Sequence, residues 1–576
     1  MSNSYWDGVL GKRVTRRRAL AATGSSAAAA AFLAACGGDD DDGDGGDGDG
    51  GTSGGTTDPG KPSVGGNFIW QGYGDPGGGL ELIKIRNAGV NQLASLTHDP
   101  LLYFAYGRPG NPGIGTDVLP MLATALPEIS PDKLRFTFKL HPNAKFSDGK
   151  ALTSEDVKWT FETLGTGAES AWKTATEFNW IDGVEAPDPT TFVVKANKIN
   201  ADALQSLALK NQAGILHRQH HESGAAEKSL LGSGPYQFVE YQPPLVTKYK
   251  RNPNYWAADR AGFFDTIDRL GTSDQEKKVA DIIAKQTHLT YWFDTEVRER
   301  IKGQRKDLQI WQYPGPDARQ IYIRNDVAPF NDKRVRHALS MSYDRQLAIT
   351  NIHGSESKAD QQLGIPGSAW EFREPKDLPR ADLYKLNVAE AKKLLSAAGV
   401  TLPLKTVCPT WNATVVGQKY VDEIVLITTQ MRNHGIADIT LQEETFGQFS
   451  PRFTGVYDTI HWGPNVTTAL PDLGINIYSK YYSPPEGVKS PTLNLTYVNK
   501  PEINALLKKQ LEEFDRKARL QAFRQLEDVL CEEMCHTSGV TFTLAYMADP
   551  KIKGAQMPRD AYNGSSAWLR FWWMGA

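Results

Sequence analysis

Residues 136–161 read FTFKLHPNAKFSDGKALTSEDVKWTF, and this stretch decides the fold because it joins a strand to a helix. Apolar and polar side chains alternate over 134–140, which predicts a half-buried β-strand. Residues 147–150 are turn formers. Thr153 can then cap a helix whose first turn carries two acids, which the positive end of the helix dipole favours. The stretch therefore predicts a strand–turn–helix unit.

Three further stretches extend this pattern along the chain. They read GSGPY at 232–236 with RNPNYW at 251–256, PFNDKRVRHAL at 329–339, and NVAEAKKLL at 387–395. Together with 136–161 they resemble the signature of family 5 extracytoplasmic solute-binding proteins. That family comprises the oligopeptide-, dipeptide- and nickel-binding receptors of ABC importers. The resemblance runs over most of the chain, and the stretches occur in family order.

The resemblance implies an α/β fold of the class II periplasmic binding protein type, in which two lobes close on a ligand and a third lobe is inserted. Lobe I is expected to be discontinuous and built from 62–105, 229–322 and 541–576. Lobe II would be the insertion at 106–228, and lobe III would be 323–540. A hinge between lobes I and III would bury the ligand and present one conformation to the importer.

The first 35 residues are expected to be a signal peptide. Basic residues precede an apolar run at 19–35 that is too short and too often interrupted for a comfortable transmembrane helix. The sequence TRRRAL at 15–20 resembles a twin-arginine export motif, although Ala19 replaces the usual Phe. Residues 1–35 are therefore predicted to be removed on export.

The apolar run ends in LAAC at 33–36, which resembles a bacterial lipobox. In such proteins the chain is cut before the cysteine, so the resemblance implies that Cys36 becomes the lipidated N-terminus. Residues 36–61 consist mainly of Gly and Asp with no large apolar side chain, which predicts a flexible acidic tether. The protein is therefore expected outside the cytoplasm, in the periplasmic space or on the cell surface, held at the membrane by lipid.

Composition narrows the classes of partner. The 64 basic and 67 acidic residues nearly balance, so the chain has no electrostatic reason to bind nucleic acid. Cys408, Cys531 and Cys535 remain beyond the lipobox, and outside the cytosol two of them can pair. Cys531 and Cys535 are four residues apart on a predicted helix, where a disulfide would distort the backbone. Neither these cysteines nor His220-His221 matches a standard metal site, so no cofactor is expected.

The resemblance also points to ligand contacts, although either tryptophan named here could be an ordinary core residue. Trp172 lies where members often extend an aromatic ring from the inserted lobe, and Trp462 in YDTIHW matches a frequent cleft tryptophan. Asn465 stands where peptide-binding members have an Asp for the peptide amino group. The candidate ligand-binding residues are Tyr73, Trp172, Trp411, Trp462, Asn465 and Asp472.

Two departures from the family pattern bear on the ligand. Asn465 offers no negative charge to a free amino terminus, and the stretch 282–294 lacks the usual acidic turn but contains Tyr291 and Trp292. These features favour an uncharged ligand or one that stacks on aromatic rings, such as a sugar. Asp472, which follows a short local insertion, either matches a later family position or compensates for Asn465.

The expected function is a monomeric, lipid-anchored receptor that captures a peptide, sugar or other small molecule and delivers it to an ABC permease and ATPase complex. The sequence contains no GxSxG, HExxH or P-loop pattern, so an enzyme is not expected. Two alternatives stay open. The same fold could sense a ligand for a membrane receptor, or carboxylates such as Asp458 and Asp472 could serve a secreted hydrolase.

Overall fold

A computed structural model of the 576-residue chain describes most of the protein beyond the predicted tether. The described residues are 61–72, 79–85, 88–104, 117–167, 170, 178–208, 214–272, 274–292, 295–354, 357–364, 370–412, 418–449, 451–452, 455–464, 474–484, 494–555 and 567–575. Helices and strands alternate throughout these ranges, so the α/β class predicted for the chain is confirmed.

The helices in this part of the chain are α1 (Ala88–Thr97), α2 (Ser154–Thr166), α3 (Ala203–Ala208), α4 (Arg218–Glu222), α5 (Gln275–Ile283), α6 (Thr295–Gln304), α7 (Lys333–Ser340), α8 (Arg345–Ala348), α9 (Val388–Ala397), α10 (Gln418–Asn433), α11 (Phe446–Phe449), α12 (Gly474–Tyr481), α13 (Pro501–Glu512) and α14 (Arg516–Glu533). The strands are β1 (Asn67–Gln71), β2 (Leu102–Phe104), β3 (Val118–Pro120), β4 (Glu128–Ile129), β5 (Arg135–Lys139), β6 (Ile181–Asp188), β7 (Thr191–Ala196), β8 (Tyr236–Gln242), β9 (Val246–Arg251), β10 (Thr266–Leu270), β11 (Leu289–Trp292), β12 (Gln309–Ile323), β13 (Leu404–Trp411), β14 (Ala437–Glu444), β15 (Ile460–Pro464), β16 (His536–Ala548), β17 (Ile552–Lys553) and β18 (Trp573–Met574).

The strand–turn–helix unit predicted from 136–161 is present. Strand β5 alternates as expected and buries Phe136 and Phe138. At the start of α2 the Asp156 carboxylate accepts hydrogen bonds from the backbone N–H of Thr153 at 2.9 Å and from its hydroxyl at 3.1 Å. The acid in the first turn therefore fixes how the chain enters the helix.

Two long strands form the frame of the molecule. Strands β12 and β16 pair antiparallel from Gln309 opposite Ala548 to Tyr322 opposite His536, with register shifts on either side of Ala318. They are neighbours in one eight-stranded sheet of order β15-β12-β16-β11-β1-β10-β9-β8. The predicted boundaries between lobes I and III fall on this strand pair. Those boundaries stay a prediction, and the lobe names below refer to the residue ranges already given.

Lobes II and III share a hydrophobic core. Trp180 of lobe II and Phe523 of lobe III belong to the same cluster of buried side chains. Within the contact, Asp202 of lobe II accepts a hydrogen bond from the backbone N–H of Ile475 at 2.8 Å and forms an ion pair with Arg519 at 2.7 Å. Both apolar burial and a buried charge pair therefore join these two lobes.

A second buried ion pair lies within lobe I, at its contact with lobe II. The Arg570 Nη2 and Asp99 Oδ1 atoms are 2.9 Å apart, and the two side chains are 1% and 0% exposed. Tyr255 donates a hydrogen bond to Asp99 at 2.8 Å and accepts one from Arg570 at 3.2 Å. The Arg570 guanidinium also lies 3.4 Å from the sulfur of Met121 in lobe II. The C-terminal segment is thus anchored at the lobe junction.

The three cysteines of the described chain are buried free thiols. The prediction that Cys531 and Cys535 share a helix is wrong, because α14 ends at Glu533 and Met534 adopts a left-handed φ of 46°. Burial raises the pKa of Cys531 to about 11 and that of Cys535 to about 12. Among the described residues no cluster of His, Cys, Asp or Glu has the arrangement of a metal site.

None of the helices in the described ranges combines the length and the apolar character that crossing a membrane requires.

The buried pair at the lobe I–II junction generates a stability prediction. Arg570→Met should lower the free energy of unfolding by about 3–5 kcal/mol, because it leaves the Asp99 carboxylate buried without its cation. Lys393→Met is the control, since the Lys393–Glu390 pair is largely exposed and should cost at most about 0.5 kcal/mol. Denaturant unfolding of both variants measures the difference, and equal losses would contradict the role assigned to Arg570.

Candidate ligand-binding site

The parallel strands of lobe I end at the edge that faces lobe III. Strand β1 runs parallel to both β10 and β11, and β11 pairs antiparallel with β16 from Leu289 opposite Ala548 to Trp292 opposite Ala545. The carboxyl end of β11 therefore points along β16 toward Thr537. At Thr537, β16 pairs with β12, and β12 pairs on its other side with β15 of lobe III. In open α/β sheets ligands bind outside the carboxyl ends of strands where the strand order reverses, which places the candidate cleft at this edge.

Cations and an aromatic ring form the lobe I wall of this cleft. Arg269 at the end of β10 directs Nε and Nη2 to the Gln92 Oε1 atom at 3.3 and 3.1 Å. The Lys278 ammonium lies 5.2 Å from the centre of the Tyr291 ring. The Tyr291 hydroxyl donates to the carbonyl of Gly72, the residue that follows β1, at 3.4 Å. This wall therefore combines positive charge with an aromatic face.

The lobe III wall repeats this combination. Strands β13 and β14 run parallel and end at Trp411 opposite Glu444, so Trp411 also lies at the carboxyl end of a parallel pair. The Arg319 guanidinium stacks 3.8 Å from the centre of the Tyr420 ring and 5.6 Å from that of Trp411. The half-buried Tyr420 also packs against the hydrophobic cluster of lobe I. Tyr420 and Trp411 of lobe III, together with Arg319 from strand β12 of lobe I, therefore form this side of the cleft.

Trp462 lies beneath this wall. Its side chain is 3% exposed and belongs to the lobe III core. The indole N–H donates a hydrogen bond to the Tyr420 carbonyl at 3.2 Å. Trp462 thus supports Tyr420 from behind, and a direct ligand contact by its ring stays a prediction.

The crossing of β16 over the lobe III wall is tightly packed. Glu423 accepts a hydrogen bond from the backbone N–H of Val540 at 2.8 Å and contacts His353 Nε2 at 2.9 Å. A Cβ atom on Gly539 would lie 2.5 Å from the Glu423 carboxylate and 2.9 Å from the Trp462 ring. Strand β16 can approach α10 this closely only because residue 539 has no side chain.

A buried polar cluster contacts strands β12 and β16. The Lys480 ammonium donates to Gln320 Oε1 at 3.1 Å and lies 3.2 Å from His536 Nε2. Burial lowers the pKa of Lys480 to about 7, and burial together with Lys480 lowers the pKa of His536 well below its usual value. Tyr481 contacts the same histidine at 2.9 Å. These contacts fix α12 to β12 and β16.

Two of the predicted ligand-binding residues fall in the described part of the chain. Trp411 lies on the cleft wall, and Trp462 lies under it. The remaining four lie outside the described residues, as does the predicted lipidation site Cys36. These four are Tyr73, Trp172, Asn465 and Asp472.

Sequence reasoning missed four residues of the cleft walls. These residues are separated along the chain and belong to no common motif; they are Arg269, Lys278, Arg319 and Tyr420. The pattern of α5 predicts that Lys278, beside the exposed Lys277, is an ordinary surface lysine. Only the strand order and register bring these side chains to one edge.

A protein-family model described as bacterial extracellular solute-binding proteins, family 5 Middle, matches residues 117–482. The chain belongs to this family. The predicted family is therefore confirmed, and the matched region includes the signature stretch at 136–161.

Curated relatives are distant. Heme-binding protein A of Haemophilus influenzae is 24% identical over 366 residues, which cover 59% of this chain and 63% of that protein. A protein of Escherichia coli described as a probable D,D-dipeptide-binding periplasmic protein is 23% identical over 452 residues, or 75% of this chain and 80% of that protein. The chain therefore spans less than two thirds of the length of the Haemophilus relative.

A solved structure confirms the fold class. The ABC transporter-associated periplasmic binding protein DppA of Helicobacter pylori, in complex with the peptide STSA, matches with a TM-score of 0.72 at 17% identity. The match covers 89% of this chain and 99% of that one. At this identity the likeness concerns the fold alone, which is the two-lobed periplasmic binding protein architecture predicted above.

The close packing of β16 at Gly539 generates a testable prediction. Gly539→Ala should destabilise the protein by about 1–3 kcal/mol, because the new methyl group overlaps the Glu423 carboxylate and the Trp462 ring. Gly303→Ala in α6 is the control, since a methyl group at residue 303 would meet nothing within 4 Å, and helix propensity should leave it neutral or slightly stabilising. Thermal unfolding of both variants checks the expectation, which fails if the two behave alike.

Proposed function

We propose that the protein is an extracytoplasmic solute receptor that captures a small molecule between lobes I and III and delivers it to an ABC permease and ATPase complex. The observation that carries this proposal is the cleft geometry. The parallel strands of lobe I end at the edge where β16 leads into lobe III, and the ring centre of Trp411 at the end of β13 lies 5.6 Å from the Arg319 guanidinium of β12, the strand that connects the lobes together with β16. A ligand bound there would contact both lobes at once.

This arrangement suits binding coupled to closure. A ligand that contacts both walls stabilises the closed conformation by its additional contacts, so affinity and the signal to the importer share one equilibrium. Rings such as Tyr420 and Trp411 offer large rigid surfaces with little entropy to lose. Family membership supports a binding role over the hydrolase alternative.

The ligand class is part of the proposal. The names of the relatives mention heme and a D,D-dipeptide, and the solved structure holds a peptide. We include peptides and other small molecules as candidate solutes. Asn465, at the position predicted to face a peptide amino group, argues against a free amino terminus as the main recognition element.

Mass spectrometry of solutes released from the purified protein tests the proposal directly. Rebinding of the released solute should be saturable and should shrink the radius of gyration measured by small-angle X-ray scattering. The solute released after prolonged incubation with the protein should have the same chemical structure as the solute that was added. Chemical conversion of the solute would favour an enzyme and overturn the receptor assignment.

Lipid anchoring by Cys36 yields a prediction of its own. Cys36→Ser should move the exported protein from the membrane fraction to the soluble fraction, because no thioether to diacylglycerol can form and the tether alone has no apolar anchor. Ser53→Ala in the tether is the matched control and should stay with the membrane. Membrane retention of the Cys36→Ser protein would show that another element anchors the chain.

The cleft wall of lobe III provides a binding prediction. Trp411→Ala should weaken rebinding of the released solute by about 1–3 kcal/mol if the indole stacks on it. Trp159→Ala removes a half-buried indole from α2 of lobe II and should leave affinity within about twofold. Calorimetric titration of each variant, after its folding is verified by circular dichroism, distinguishes the two. An unchanged affinity for Trp411→Ala would remove this residue from the site.

A further inference from the structure

Lys278 is a buried lysine at the carboxyl edge of the lobe I sheet. Its side chain belongs to the fourth residue of α5, the helix that carries the chain from β10 over β1 to β11. The residue is 4% exposed, and Arg269 nearby is 1% exposed. Two cations are therefore desolvated at the point where the strand order reverses and where a ligand is expected.

The surroundings of the Lys278 ammonium supply no negative charge within the described structure. The group lies over the Tyr291 ring, and in these ranges it forms neither a hydrogen bond nor an ion pair. The nearest helical acid, Asp281, is held by both Lys277 at 2.9 Å and Gln71 at 3.2 Å. Burial and the like charge of Arg269 lower the pKa of Lys278 to about 8.

A buried cation without a counterion is costly, and proteins keep such groups mainly where a ligand or a reaction uses them. A ring face beneath an ammonium compensates only about 1–2 kcal/mol of that cost. The N–H donors of the Lys278 ammonium have no acceptor among the described residues, so they remain available at this position to an incoming group. A carboxylate or phosphate there would form charge-assisted hydrogen bonds, which are roughly twice as strong as neutral ones.

We propose that Lys278, supported by Arg269, forms an anion subsite in the lobe I wall, so that the solute carried by this protein bears a carboxylate, phosphate or sulfonate group. The inference rests on the proposed receptor function and refines its substrate class. It replaces the uncharged ligand favoured by the sequence with an anionic one that also stacks on aromatic rings. Lys278 is a binding residue in this assignment, and Arg269 adds to the positive electrostatic potential at the subsite.

The test uses the full chain and defined probes. Succinate, inorganic phosphate and methanesulfonate are the anionic probes, and glucose and trialanine amide are the probes without an anionic group. Each is titrated at constant ionic strength into the wild type, Lys278→Met, Lys278→Arg and Lys250→Met. Lys250 is an exposed lysine on β9 and controls for the loss of one positive charge from lobe I.

The expected result is that at least one anionic probe binds the wild type and that Lys278→Met raises its Kd at least tenfold. Lys278→Arg and Lys250→Met should change it less than threefold. The solute released from the purified protein should also be anionic at neutral pH.

A pH profile separates binding from a merely structural role. Before a ligand binds, Lys278 loses its proton above about pH 8, so the Kd of the anionic probe should rise about tenfold between pH 7 and pH 9 in the wild type. Lys278→Arg stays charged and should show a flat profile. The groups near the ammonium are Arg269 of β10 and Tyr291 of β11. Gln71 of β1 donates to the backbone carbonyl of Lys278 at 3.3 Å, and Asp281 lies on the same helix as Lys278.

Three results would overturn the subsite. One is equal binding of anionic probes to Lys278→Met and the wild type. Another is a released solute that is neutral or cationic, which would leave the receptor function intact. A wild type that binds no probe and releases no solute would overturn both this inference and the proposed function.

Discussion

The antiparallel pairing of β12 with β16 is the constraint on which the rest of the structure depends. One backbone ladder runs from the lobe I sheet to β15 of lobe III. Lobes I and III are therefore both built onto strands β12 and β16. Register shifts beside Ala318 interrupt the ladder between its two ends. Such irregularities bend a strand and release some backbone hydrogen bonds, which suits a segment between two lobes. Gly539 allows β16 to pass against Glu423 and Trp462 at this place.

The buried charged side chains at the lobe junctions and those at the cleft have different neighbours. Asp99 with Arg570, and Asp202 with Arg519, are buried pairs in which each charge meets its opposite at 2.9 and 2.7 Å. At the cleft, Arg319 and Lys278 lie over aromatic rings. The Asp202–Arg519 pair joins lobes II and III, and the Asp99–Arg570 pair lies within lobe I; both stay paired because a separated charge is costly in the interior. Cations on rings keep part of their potential free to act on a ligand.

The sequence predicted the local units well, because their causes are local. The alternation around Phe136 and Phe138 and the acid at the start of α2 both act within a few residues. The cleft was harder to predict. The YDTIHW motif predicts a ligand contact for Trp462, and the structure packs its ring in the lobe III core, so this contact stays a prediction. Lys278 was overlooked because a lysine on an amphipathic helix predicts a solvated face, and only neighbouring strands show that it is covered.

The sequence by itself determined the family, the α/β class and the candidate export and lipidation signals. Each of these depends on short stretches that form local structure or are recognised as a motif without the rest of the fold. The tertiary structure alone decided which side chains meet at the cleft. Lys278 meets Tyr291, and Arg319 meets Tyr420 and Trp411, although these residues are scattered along the chain. The contacts follow from the strand order and from the register of β11, β12 and β16. Burial of the Lys278 charge is likewise a property of that assembly, since desolvation depends on every element packed around the group and not on its neighbours in sequence.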